Sequence, residues 1–148
     1  MEQDHSRLYG SLTLVAVAVV LVVAGTRFLN RDVEFCRRTF ESLVAGKPSV
    51  QGNIAWDRLT AMGTDVGETY RQLPNMKERA EYQAAFIQKF AEGFKKVQGK
   101  TSHLTKWRVK QRGKGETIVA AEHWPSQHLL LFRVSHRGGL RLESIAWE

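Results

Sequence analysis

Cysteine is almost absent. Cys36 stands alone among 148 residues, so no disulfide can form within the chain and no cysteine-built metal site exists. A single thiol at a helical position reads as a small buried hydrophobe. Proline is scarce too, at three residues, and no repeat, low-complexity tract or disordered linker interrupts the chain. No Gly-rich phosphate loop is present, since GKGETI at 113–118 lacks the length and order of one. Acids are missing altogether from KTSHLTKWRVKQRGKG, residues 100–115.

What the chain does have is a long apolar run. Leu8 to Thr26, LYGSLTLVAVAVVLVVAGT, carries no charge over nineteen residues. At the helical rise it would span about 28 Å, close to the hydrocarbon thickness of a bilayer. The run predicts a transmembrane helix over 8–26, after a short tail at 1–7 and before a domain at 27–148. A cleaved leader ending after Ala24 competes with it, but MEQDHSR holds two acids against one arginine, and the run exceeds a signal core. Arg27 and Arg31 then fall where side chains reach lipid headgroups. Arginines after the run outnumber Arg7 before it, which points to a cytoplasmic domain. The tail–anchor–domain layout points instead to export, and tips the expectation narrowly to the periplasmic side of a bacterial inner membrane.

The chain carries a net charge of +7; residues 1–26 hold Arg7 against Glu2 and Asp4, a net of −1, which leaves +8 on the remainder. A basic domain of this kind limits the class of partner and says little about fold. Anionic lipid, nucleic acid and an acidic protein surface are the three classes to weigh.

Beyond the run, RDVEFCRRTFESLVAG sets Val33, Cys36, Phe40 and Leu43 or Val44 on one helical face, ended by Gly46 and Pro48. GNIAWDRLTAMG, from Asn53 to Gly63, reads as a short helix with Ile54, Leu59 and Met62 as its stripe. Asp65 with Glu68, and Asn75 with Glu78, have capping-box spacing. The second box opens the clearest helix, with Met76, Ala80, Ala84, Ile87, Ala91, Phe94 and Val97 at the 3.6 period and Tyr82, Phe86 and Phe90 widening that face. From Thr101 the period becomes two. Strands are expected at about 102–112, 116–124, 127–136 and 140–147, joined by GKG, PS and RGG turns. The fold class is α+β: a transmembrane helix, then about three helices packed on a curved four-stranded antiparallel sheet.

Helices first and an antiparallel meander after, with NIAWDRL early, resembles the nuclear-transport-factor-like (cystatin-like cone) superfamily over residues 30–148. With its anchor the chain is similar to inner-membrane assembly factors of type IV secretion systems and to other membrane-anchored bacterial proteins. The resemblance implies a pocket between the helices and the concave sheet face, catalytic in some members and binding in others. Its enzymes use an Asp or His in that cone.

Here the acids suit such work poorly. Asp57 and Asp65 sit at helix-start positions, no Asp falls in a strand, and Glu122 and Glu143 read as exterior. His103, His123, His128 and His136 lie in or beside strands, but no carboxylate or cysteine completes a metal set. No catalytic residue, metal or cofactor is expected. Trp56, Trp107 and Trp124 are candidate pocket lining. On a strand Trp107 points away from Lys106 and Arg108, so the two do not form a stacking platform for single strands, and nucleic acid is set aside.

The basic row Lys106, Arg108, Lys110, Arg112 and Lys114 remains. Its bland reading is a solvated edge kept from aggregating by charge. Its functional reading is docking to anionic lipid or to an acidic protein surface. The expectation is a non-catalytic, single-pass accessory or assembly subunit, with the membrane and other integral membrane subunits as partners. The alternative is a membrane-tethered small-ligand binder or enzyme using the cone pocket.

Overall fold

A computed structural model describes the backbone of residues 3–148 and the side chains of 15–26 and 30–148. The helix α1 runs Gln3–Val44. The chain divides into two compact units, Met1–Arg31 and Asp32–Glu148, and α1 contributes to both.

In the first unit, the described side chains 15–26 are exposed. The expected transmembrane helix is corrected here: among the described residues, no helix is long and apolar enough to cross a membrane. Of the 8–26 span, only residues 15–26 have described side chains, and twelve residues reach about 18 Å against the roughly 30 Å of hydrocarbon to be crossed. The side chains of 8–14, and the expected tail at 1–7, lie outside the described ones. The single-pass inner-membrane placement rested on that helix and falls with it.

The second unit follows from its apolar periodicities. Cys36, Phe40 and Leu43 of α1 are buried at the expected helical spacing, and the helix ends where Gly46 adopts a left-handed φ of 68°. A 3₁₀ turn, Pro48–Asn53, leads into a bridge at Ile54 and a turn at Trp56–Arg58, where the expected 53–63 helix does not form. Ile54 bridges Leu142 in parallel, and two short strands follow, β1 (Thr60–Ala61) and β2 (Thr64–Asp65). The stripe read for a helix is instead held by the sheet: Ala55 N–H donates to Leu142 O at 3.0 Å and Met62 N–H to Ile145 O at 2.8 Å. Two further helices are α2 (Val66–Gln72) and α3 (Met76–Lys96). Asp65 and Asn75 cap them as their spacing predicts, each side chain accepting at 2.9 Å from the N–H of the residue three on.

The meander comprises β3 (Leu104–Gly113), β4 (Glu116–His123), β5 (Leu129–Ser135) and β6 (Arg141–Trp147). The complete sheet has the order β2-β1-β6-β5-β4-β3. It is therefore six-stranded and mixed, because β1 pairs parallel to β6, and the expected four antiparallel strands are a subset of it. Two-residue strands show no readable alternation, which is why the sequence pattern misses them.

Register shifts decide which residues reach the core. Between Thr105/Glu122 and Arg108/Ala120 the strand β3 carries one extra residue, a bulge in which Lys106 takes a φ of 51°. Leu104 and Trp107, three residues apart, therefore both join the core. In an unbroken strand Leu104 would share a face with Lys106, Arg108 and Lys110, and the bulge prevents this. A shift after Arg133 does the same for Leu142 and Ile145 on β6. Phe132 of β5 sits at the centre, stacked on Trp107 at 5.2 Å and meeting Phe40 edge-on at 5.3 Å.

The packed face of α3 is narrower than its periodicity predicts. Ile87 is buried and Tyr82, Phe86, Phe90 and Phe94 are partly so, while Met76, Ala80, Ala84 and Val97 face solvent.

Candidate functional site

Phe90 and Phe94 of α3 lie one helical turn apart with Gly93 between them, and both meet Phe40 of α1 edge-on, at 6.3 and 5.8 Å. A missing side chain beside two rings leaves a hollow. That hollow is a pocket of about 780 Å³ between α3 and the sheet. Phe40, Phe90, Phe94, Leu104 and Leu130 form its apolar walls, and Met62, Val97 and Trp147 close its sides. Polar groups are confined to Lys89, Gln98, Lys100, His103 and His123, so no carboxylate, hydroxyl or thiol side chain lines it.

The two histidines are placed by pairing of the strand ends, with Leu104 opposite His123. The His103 ring meets His123 edge-on at 5.9 Å and Trp124 at 6.0 Å, and His123 meets Trp147 at 5.7 Å. His123 Nδ1 lies 2.7 Å from Ser126 Oγ, within the turn that closes β4 onto β5.

None of the tryptophans expected to line a pocket lines this one. Trp56 is core: it meets Phe86 edge-on at 5.6 Å and its Nε1–H donates to Gln51 O at 3.0 Å. Trp107 is stacked in the core, and Trp124 is exposed at the hairpin. Trp147 is the tryptophan that reaches the pocket. Its strand position was legible, but its destination depends on how β6 pairs. Phe90 and Phe94 were legible as a helical stripe, and the hollow beside Gly93 was the signal available.

The basic row is not one face. Arg108 pairs with Ala120 and Arg112 with Thr117, positions of opposite parity on β4, so Arg108 and Arg112 lie on opposite faces of the sheet. Most of its charge is met from within the chain. Lys106 pairs with Glu122 at 2.8 Å, Lys110 with Glu148, and Arg112 with the buried Asp32 at 3.7 Å, while Arg108 donates to Lys106 O at 3.1 Å. Lys114 is exposed in the turn that follows. Of the two residues expected at headgroups, Arg31 is exposed and the side chain of Arg27 lies outside the described ones.

A second polar cluster, which the sequence does not reveal, lies at the opposite end of the strands. Asp32 is only 2% exposed, and its Oδ2 lies 3.0 Å from His136 Nε2. Thr117 Oγ1 approaches the same nitrogen at 3.2 Å. A hydroxyl–imidazole–carboxylate relay needs its two partners on opposite ring nitrogens. With both on Nε2, this is a satisfied buried network that ties α1 to the sheet. The same carboxylate, together with burial as the larger cause, pushes the Cys36 thiol well above its ordinary value of 9.0. Among the described residues, no group of three His, Cys, Asp or Glu side chains is placed to hold a metal ion.

Compared with protein-family models, with curated proteins and with solved structures, the chain finds no match in any of the three.

Proposed function

We propose that the unit Asp32–Glu148 is a binding module for a small, mostly apolar ligand, held without turnover in the pocket between α3 and the sheet. The observation that carries this reading is the pocket itself. At about 780 Å³, walled by aromatic and aliphatic side chains with a few polar groups, it has the size and composition of small-molecule sites. The resemblance to the cone superfamily implies a binding or catalytic pocket between helices and sheet, which supports the same reading. The lining supplies no hydroxyl, thiol or carboxylate side chain beside its lysines and histidines, which favours binding over chemistry.

Gly93 provides the test. A Cβ added there meets nothing within 4 Å, and the position lies inside a helix, so Gly93→Leu should fill the hollow while favouring the helix. Titrating a neutral fluorescent probe such as N-phenyl-1-naphthylamine into the native protein should give saturable 1:1 binding, and Gly93→Leu should abolish it with the thermal midpoint unchanged or raised. Wild-type protein without saturable binding, or a Gly93→Leu variant that binds equally, removes the reading.

A second reading, a non-catalytic accessory or assembly subunit that docks on an acidic protein surface, is favoured by a separate observation. Lys106, Arg108, Lys110 and Arg112 lie on β3, the edge strand of the sheet, Lys114 follows in the turn, and all five are exposed. A stoichiometric companion isolated with the native protein, and lost from the triple variant Lys106→Glu, Arg108→Glu, Lys110→Glu, would support it. An unchanged set of companions would count against it.

A further inference from the structure

Cationic groups are distributed unevenly in this protein, and the difference bears on the pocket. On β3, Lys106, Lys110 and Arg112 each face an acid of the same chain. Around the pocket the situation is reversed. Lys89 and Lys100 line it, His103 and His123 stand at its strand-end side, and no Asp or Glu is among the lining residues. Neither Lys89 nor Lys100 has a carboxylate partner among the described residues. The rest of the lining is mainly apolar, with Phe40, Phe90, Phe94, Leu104 and Leu130 among it.

An apolar hollow bordered by ammonium and imidazole groups, with no anion of its own, is electrostatically complementary to one kind of molecule. A cationic ligand would meet like charge with nothing to offset it, and a neutral one would leave the lysines unused. We propose that the pocket takes an amphiphilic carboxylate, an acyl or aryl acid whose apolar body packs on Phe40, Phe90, Phe94, Leu104 and Leu130. Its carboxylate lies toward Lys89 and Lys100, where charge-assisted hydrogen bonds form. His103 and His123 offer further N–H donors on the strand side. Binding is reversible, and no bond of the ligand forms or breaks. This inference rests on the ligand-binding reading of the same pocket.

The experiment compares three ligands of one chain length on the intact protein: dodecanoate, dodecanol and dodecyltrimethylammonium, each below its aggregation concentration, followed by isothermal titration. The carboxylate should bind at least about tenfold more tightly than the alcohol, as expected for one or two charge-assisted hydrogen bonds, and the ammonium more weakly still. In the double variant Lys89→Gln, Lys100→Gln the carboxylate's advantage should shrink to about threefold or less while alcohol binding is retained, which shows that the fold and the walls are intact. Gly93→Leu should abolish all three. Equal binding of alcohol and carboxylate would overturn the carboxylate assignment and leave the pocket reading standing. Tighter binding of the ammonium would do the same. Failure of all three ligands would remove both.

Discussion

Lys106 Nζ lies 2.8 Å from Glu122 Oε1, beside the point where β3 and β4 fall out of step by one residue. The ion pair spans a bulge whose backbone needs a left-handed residue, and Lys106 supplies it at a φ of 51°. One residue thus resets the side-chain parity of β3 and brings Trp107 against Phe132, and a second shift between Val109 and Gln111 puts Arg112 on the face opposite Arg108.

Substitution at Lys106 should separate the bulge from the ion pair. An exposed pair contributes about 0.2–1 kcal/mol, whereas a left-handed residue with a side chain costs about 1–2 kcal/mol, most for a β-branched one. Lys106→Gly should therefore remain within about 0.5 kcal/mol of wild type, because relief of strain offsets the lost pair and the added chain entropy. Lys106→Val should cost about 1–2 kcal/mol more, measured from urea midpoints at constant m.

Asp32 should be the most sensitive polar position. Its carboxylate is buried against His136 and Arg112, and removing it breaks both contacts and leaves a cavity beneath them. Asp32→Ala is expected to lower stability by about 2–4 kcal/mol. His136→Ala should cost less, because that ring is a third exposed. A double-mutant cycle should return a coupling of at least about 0.5 kcal/mol; an additive pair would show that the contact carries no energy.

Cys36 should be chemically silent in the folded protein. Burial and the neighbouring Asp32 charge hold its thiol neutral, so alkylation by iodoacetamide at pH 8 should proceed only as the unit unfolds. The sign of the pH effect follows. The folded value is raised, so the contribution is fully present below the ordinary value of 9.0, and it declines as pH rises above that value because the unfolded thiol then ionises and the folded one does not. Cys36→Ala should flatten the alkaline limb of the stability profile.

Two glycines should respond in opposite directions. A Cβ on Gly67 would stand 2.6 Å from the backbone oxygen of Asp57, where the first turn of α2 packs on the loop before β1. Gly67→Ala should cost about 1–3 kcal/mol. At Gly93 the space is open, and Gly93→Ala should add about 0.5–1 kcal/mol by helix propensity alone. Thermal melts of the two variants provide the comparison.

Much of the fold was legible because its signals are local. Capping boxes at Asp65 and Asn75 act within three residues, and the Cys36–Phe40–Leu43 face and the four meander strands follow from side-chain period. The helix expected at 53–63 failed because Ile54 and Leu59 also satisfy a loop clamped to β6, and apolar spacing does not distinguish the two. The candidate site was less legible. Phe90 and Phe94 could be seen, but His103, His123 and Trp147 meet around the pocket only because strand ends from three parts of the chain are brought together.

The sequence by itself determined the Cys36–Phe40–Leu43 helical face, the caps at Asp65 and Asn75, the helix α3, the four meander strands and the excess of positive charge, since each is read from composition or from residues within a turn or two of one another. Tertiary structure alone decided where that charge counts. Bulges at Lys106 and on β6 set which residues face the core, Asp32 found His136 across 104 positions, and acids from distant segments met the basic row while leaving Lys89 and Lys100 beside an apolar pocket. Pairing register and long-range packing carry that information, and neither is written in any short stretch of residues.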